Sequence, residues 1–460
     1  MKLIKKKKMK TINLFCNSIV ILLLAGLSMN SVVAQTTRKE TVTKVYDISP
    51  SGKLDLASTF NPFGYLSNIE ILTWDRNEVK IVGELTYEDD GNKEDVVKLL
   101  NAFKNVNAES SKNVLKLNLN LVKSVIVGNI FRKYNIYVFH DDETTPVDEK
   151  KMKKIKTAYT IWIPATLNVN VDSRFGKLKM ASIKGNVDVT LHNNDLEMGD
   201  FGASGNFDIR FSSVNMGSGG ALKINARNST VNAAEVKNLT AEARFSNFDI
   251  AKAHDVSINI NNGTSVFGML NDINATARFS TIRIEGNTGK SKFDLNNSNL
   301  FGKNFQTMEI SSRFSKFNAA NIADTKINSA NNSNFDFATV NTFICRESRF
   351  STFKLAEIVT NVSFPDANNS DITINGTSAS FTGFSGNFRF GMVNLKIHPS
   401  VEYNLNYTGT FGQLNSISPD KFKTRYISDK SGQTTTVQGL NAGARCNIEI
   451  VANNTNCRIE

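Results

Sequence analysis

The chain has 460 residues with 54 Lys and Arg, 43 Asp and Glu and four His, for a formal charge of +11. Residues 1–34 carry six of those lysines and no acid, so their removal leaves 48 basic against 43 acidic residues and a charge of +5. That balance excludes a polybasic nucleic-acid binder, because no basic run with interleaved stacking aromatics survives, and no later stretch of 18 apolar residues provides a membrane span.

Those first residues have the order of an export signal. Lys2, Lys5 to Lys8 and Lys10 form a basic start, Ile19 to Leu27 an apolar centre too short to cross a bilayer, and Val32-Val33-Ala34 a small-residue cleavage site. Export follows as an expectation, to periplasm, outer membrane or the outside. Cys16 lacks the small neighbours of a lipoprotein box and leaves with the leader.

Residues 35–165 are aperiodic and are expected to form a strand-rich cap. Alternation at Leu54-Asp55-Leu56, Val79 to Val82 and Leu115 to Leu119 predicts strands, with a turn at Asp75-Arg76-Asn77. One helix is expected over 94–106, where Val96, Val97, Leu99, Leu100, Phe103 and Val106 share a stripe. The acidic cluster Asp89 to Asp95 misses the ligand order of a calcium loop and is assigned to helix capping. His140 to Lys154 is expected to be a solvated loop.

Residues 166–397 repeat. An aromatic or Asn, usually followed by Ser, recurs at Phe175, Asn193, Phe211, Asn228, Phe245, Thr264, Phe279, Asn297, Phe314, Asn332, Phe350, Asn369 and Phe390, and again at Phe411, in steps of 15 to 21 residues. Around each mark, alternating apolar residues shift phase, as in Leu239, Ala241, Ala243, Phe245, then Phe248 and Ile250. Each unit therefore reads as two short strands about a corner, and the fold class as mainly β: a parallel solenoid, right-handed by default, of about 18 residues per coil. Strand length favours that coil, whereas alternate Phe and Asn marks would suit a 36-residue circuit with separate ladders. Parity places the Phe marks in the core, with the Ser bonding local backbone and Asn satisfying corner groups. Residues 398–460 are expected to close the far end.

Within this frame the opening pattern Trp74-Asp75-Arg76-Asn77-Glu78-Val79-Lys80 before a helix, then Tyr159-x-Ile161-x-Ile163-Pro164, Phe175-Gly176-Lys177-Leu178 and Gly185-Asn186-Val187, resembles bacterial exported proteins called putative adhesins, including those with head-GIN-type β-solenoid domains. The resemblance implies a parallel β-solenoid at the bacterial envelope and carries no catalytic residues. This chain departs from it by placing Arg-Phe-Ser or Asn-Asn-Ser where Ser-Gly turns are usual.

Binding candidates are the arginines that precede the Phe marks: Arg174, Arg210, Arg244, Arg278, Arg313, Arg349 and Arg389. Facing outward on every second coil, they would form a stripe able to meet acidic surface glycans or envelope proteins. Asp172, Asp208 and Glu242 lie two residues before three of them, so a solvated, neutralised face is the competing reading. No carboxylate cluster, metal-ligand spacing or phosphate loop stands out, so neither catalysis nor a cofactor is expected, with a β-helix lyase or hydrolase of acidic glycans as the enzymatic alternative. Cys446 and Cys457 are the nearer pair for a disulfide, although a tight hairpin at Asn453-Asn454 would not set them opposite each other, and one Cys is left over as a buried small hydrophobe.

Overall fold

The structure, a computed structural model, describes residues 36–59, 66–89, 93–128, 133–139, 154–415, 422–430 and 434–460. The leader, Asp90 to Asn92 and residues 140–153 of the expected loop lie outside these. The chain is mainly β, a solenoid of about 13 turns with coils of about 18 residues. Register settles the coil length: Val169 lies against Val187, Val187 against Gly205, and Val231 against Phe248, all in parallel. One 17- or 18-residue step is thus one rung, and the 36-residue circuit is excluded.

The stack begins before Pro164. Strand Asn168–Met180 lies parallel to both Lys53–Ser58 and Leu66–Trp74, and these lie parallel to Val114–Asn118 and Lys156–Pro164 in turn. Thr36–Asp47 and Glu78–Asp89 pair antiparallel, and the second pairs antiparallel with Lys156–Pro164. The helix spans Lys93–Lys104. It turns Leu99 and Phe103 into the core, where Phe103 meets Tyr159 with ring centroids 6.2 Å apart.

Strands within the solenoid are longer than alternation alone implied, up to the 17 residues of Thr352–Asn368, because the chain bends while its ladder continues. In Thr230–Arg244 the buried residues are Val231 and Ala233, then Val236, then Leu239, Ala241 and Ala243. Three inward runs separated by corners make one coil, and each coil buries a face against the next that it could not bury alone. Inside, aromatic side chains stack along the axis. Phe317, Phe335 and Phe353 occupy successive coils with centroids 4.7 and 4.9 Å apart.

At the far end the chain leaves sequence order. Strand Gly383–Arg389 pairs in parallel with Cys446–Asn453, which pairs in parallel with Tyr403–Thr410. The coil latest in the sequence is therefore wedged between two earlier ones. Asn453-Asn454 is a solenoid corner and not a hairpin. Thr434–Leu440, antiparallel to Tyr403–Thr410, covers the outer edge, where unpaired strand groups would otherwise invite association.

Cys345, Cys446 and Cys457 are free, buried thiols, so the expected Cys446–Cys457 disulfide is absent. Burial pushes the thiols of Cys446 and Cys457 up to about 11 and about 12, which keeps them protonated and inert at neutral pH. In the chain lacking residues 1–34, a thiol reagent is expected to count three cysteines in denaturant and to react far more slowly with the native protein. A count of one in denaturant would restore the disulfide.

Candidate functional site

The repeating mark is a backbone feature first. Every non-glycine residue with positive φ among the described residues belongs to it: Phe175, Asn193, Phe211, Asn228, Phe245, Asn262, Phe279, Asn297, Phe314, Asn332, Phe350, Asn369, Phe390, Phe411 and Asn454, with φ between 48° and 59°. Asn262, not Thr264, is the mark in its coil, and Gly263 takes the place of the following Ser. A left-handed residue breaks the strand's alternation, so two consecutive side chains face outward and the next one faces in. Ala243 is buried, Arg244 and Phe245 are exposed, and Ser246 is fully buried.

This reverses the inward assignment of the Phe marks. All eight are exposed, from 39% at Phe175 to 62% at Phe245. Simple parity failed because the phase break falls before the mark and not after it. The Asn marks do not satisfy backbone either. Except at Asn228, which follows Arg227, their Nδ2 groups donate to the side chain just before, as from Asn297 to Asn296 Oδ1, Asn332 to Asn331 Oδ1 and Asn193 to His192 Nδ1, at 2.7, 2.7 and 2.9 Å.

The buried Ser explains why the corner holds. Ser229 Oγ donates to the carbonyl of Arg227 at 2.8 Å and accepts the amide of Ser212 from the neighbouring coil at 3.2 Å. The same pair of bonds recurs at Ser280, Ser298, Ser315, Ser333, Ser351 and Ser370. A buried hydroxyl that both donates and accepts avoids the desolvation cost of an unmet polar group, about 1–3 kcal/mol. Where Gly263 replaces Ser, a Cβ would lie 2.1 Å from the Ser246 carbonyl oxygen, so that corner requires glycine. Ser265 is buried elsewhere, level with Phe248 and Ile282.

Each mark's amide donates to the carbonyl preceding the next mark: Phe211 to Arg227, Asn228 to Arg244, Phe245 to Asn261 and Asn262 to Arg278, at 2.9 to 3.0 Å. The marks therefore form one column along the rod. In sequence the alternation of Phe and Asn fails once, between Phe390 and Phe411. In space it does not, because Phe390 donates to Asn453 and Asn454 donates to Thr410, placing Asn454 between the two. Phe and Asn thus alternate without exception over fifteen successive corners.

Of the seven predicted arginines, Arg174, Arg244, Arg278, Arg313, Arg349 and Arg389 are exposed and Arg210 is half-buried. Three are paired with acids: Arg210 with Asp208 at 3.6 Å, Arg349 with Glu347 at 2.8 Å and Arg389 with Asp366 at 2.7 Å. Arg174, Arg244, Arg278 and Arg313 make no ion pair within 4 Å among the described residues. Arg313 lies over its own neighbour, 5.3 Å from the Phe314 centroid, a cation–π contact. Burial raises the Asp172 carboxyl above the ordinary carboxylate range, while Arg174 and His192 pull it down.

Two members of the basic column were missed. Register places His192 between Arg174 and Arg210, and Arg227 between Arg210 and Arg244. Both precede Asn marks, so reading the residue before every mark would have found them. Five consecutive rungs thus carry a basic side chain at this end. No group of three or more His, Cys, Asp or Glu among the described residues is placed to hold a metal. No helix among them is long and apolar enough to cross a membrane.

No protein-family model and no curated protein matches the chain. Among solved structures it is similar to a putative cell adhesion protein from Clostridium sporogenes, at 8% identity and TM-score 0.15 over 92% of this chain and 99% of that one. It is also similar to a putative adhesin from Bacteroides fragilis, at 13% identity and TM-score 0.24 over 65% and 97%. A third is a putative lipid binding protein from Parabacteroides distasonis, at 13% identity and TM-score 0.22 over 69% and 94%. At these scores none of them carries an argument about this chain; its own strand register does.

The Phe marks are poor choices for stability. A left-handed conformation costs an ordinary L-residue roughly 1–2 kcal/mol, and Asn tolerates it better. Seven of the fifteen marks are Asn already, in the same backbone setting. Phe245→Asn is therefore expected to leave the unfolding free energy unchanged or raise it, by up to about 1 kcal/mol. A loss of more than that in denaturant titration would show that the exposed rings hold the fold together.

Proposed function

We propose that this protein is an exported, non-enzymatic scaffold of the bacterial envelope with an adhesin-like role, and that the Phe and Arg column is its ligand-binding edge. The observation that supports this most is the row of eight exposed, conformationally costly Phe side chains on every second rung, most with an Arg beside them. Such outliers are retained where a function uses them. Arg supplies bidentate recognition of carboxylate, sulfate or phosphate, and the aromatic face supplies apolar contact. The partner class that fits is an acidic surface glycan or an acidic envelope polymer.

The test is binding of the chain lacking residues 1–34 to immobilised acidic glycans and envelope extracts, with the triple variant Arg244→Glu, Arg278→Glu and Arg313→Glu beside it. These three make no ion pair, so reversing them removes attraction without freeing a buried acid. Affinity is expected to fall at least about a hundredfold, with a weaker salt dependence. Equal binding by variant and parent would sink the proposal, and release of sugar fragments would replace it with the lyase or hydrolase reading. Protease treatment of intact cells, with the rod degraded if it is surface-held, tests the location.

A further inference from the structure

The spacing of the edge carries more than its charge. Parallel strands lie about 4.8 Å apart, so successive Phe marks stand about 9.6 Å apart with an Asn rung between them. Sterics do not demand this gap, since Phe317, Phe335 and Phe353 stack on successive rungs inside the same rod. Nor does the order of the chain, since alternation at Phe390 and Phe411 is kept only because Asn454 is threaded between them. On the outer edge, therefore, the two-rung period is a property of the surface itself.

Resting on the proposed binding edge, we infer that its ligand is a linear acidic glycan with an alternating two-sugar repeat, bound lengthwise, one repeat per Phe–Arg station. An extended β-linked sugar is close to one strand spacing long, so two sugars span the step of about 9.6 Å. One sugar of each pair lays its CH-rich face on a Phe ring, and the negative group of its neighbour meets the adjacent Arg. The Asn rung, its side-chain amide engaged with the residue beside it everywhere but at Asn228, is a polar spacer. Stations in series make each further repeat an intramolecular event, so affinity climbs with chain length.

Other occupants fit less well. Two copies of this chain could interdigitate their Phe rows but would bring Arg against Arg, and like charges in apposition cost several kcal/mol. Single-stranded nucleic acid also stacks on aromatics beside Arg, but it carries a charge on every nucleotide, out of step with a period of two rungs. A polyuronate charged on every sugar has the same mismatch over most of the edge. It fits only from Arg174 to Arg244, where the five successive rungs Arg174, His192, Arg210, Arg227 and Arg244 are basic.

The experiment titrates the chain lacking residues 1–34 with size-defined hyaluronan oligosaccharides, in which every second sugar is a uronate. Oligogalacturonates, polyphosphate, neutral cello-oligosaccharides and single-stranded DNA are run beside them at matched ionic strength. Hyaluronan affinity is expected to rise severalfold with each added pair of sugars, and to exceed that of oligogalacturonate of equal length at least tenfold. Replacing all eight Phe marks by Asn is expected to remove at least tenfold of that affinity. The triple variant Phe245→Asn, Phe279→Asn and Phe314→Asn does the same in smaller measure should the full set fold poorly.

Equal affinity for every polyanion of matched charge would overturn the two-sugar register while leaving the acidic binding edge in place. So would variants that lose Phe without losing affinity. Failure of every acidic probe would take down both. Tighter binding of DNA, or concentration-dependent self-association abolished by the Phe replacements, would transfer the edge to that partner and overturn the glycan.

Discussion

Phe335→Ala is expected to destabilise the protein by about 3–5 kcal/mol, the usual cost of removing a fully buried aromatic side chain. Phe335 is 1% exposed. It lies between Phe317 and Phe353 in a near-parallel stack and meets Phe337 edge-on at 5.9 Å. Three coils lose contact at once, and rigid ladders on either side keep the space from closing. Because coils contact chiefly their neighbours, the loss concentrates around Lys316–Asn331, Asn334–Cys345 and Thr352–Asn368. Hydrogen exchange resolved by segment is the measurement. Loss of protection shared evenly from Asn168 to Ile459 would show a rod that unfolds as one unit, against this expectation.

The second large effect concerns the wedged coil. A chain ended after Arg445 lacks Cys446–Asn453 and Asn456–Ile459, which fill the space between Gly383–Arg389 and Tyr403–Thr410 and between Met392–Leu395 and Leu414–Asn415. Amide protection in Gly383–Arg389 and Tyr403–Thr410 is expected to fall by orders of magnitude, whereas Thr230–Arg244, many coils away, keeps its own. The bared edge also makes the truncated chain prone to association. Full protection of Tyr403–Thr410 would mean that it docks directly on Gly383–Arg389 and that the wedge is dispensable. In that case Phe390 and Phe411 become adjacent, and the regularity of the outer edge is lost.

The coil was legible in the sequence because parallel stacking forces equal lengths between equivalent residues, and the marks carried that length. Which way the marks faced was not legible. Alternation counted through Ala243 and Phe245 assumes an unbroken pleat, and one left-handed residue shifts the count by one. The Ser that follows nine of the marks was read correctly as bonding local backbone, since a hydroxyl at a corner has few other partners. That it also accepts an amide from the adjoining coil depends on stacking order. Ser265, read the same way, has no hydrogen-bond partner for its hydroxyl among the described residues. Thr264 was mistaken for a mark because Gly263 stands where Ser was expected, though Asn262 kept the spacing.

The arginines were found from their neighbours, and their outward placement follows from plain alternation after a buried residue, as in Ala243 then Arg244; the left-handed bend turns outward only the ring that follows. The interposition of Asn454 had no sequence signal, because nothing local distinguishes a coil that adds to the end of a stack from one that enters it.

A rod whose outer corner alternates between two kinds of rung has a natural unit of growth, and that unit is two coils. Phe211 and Phe245 are 34 residues apart, Phe245 and Phe279 again 34. Inserting a single coil within the stack would set ring beside ring or amide beside amide and throw the two halves out of phase. Inserting a matched pair would lengthen the molecule by about 9.6 Å and add one station while leaving every existing neighbour as it was. If the outer edge binds as proposed, its valency would therefore change by whole numbers, through duplication of about 34 residues, with the chemistry of each station copied unchanged.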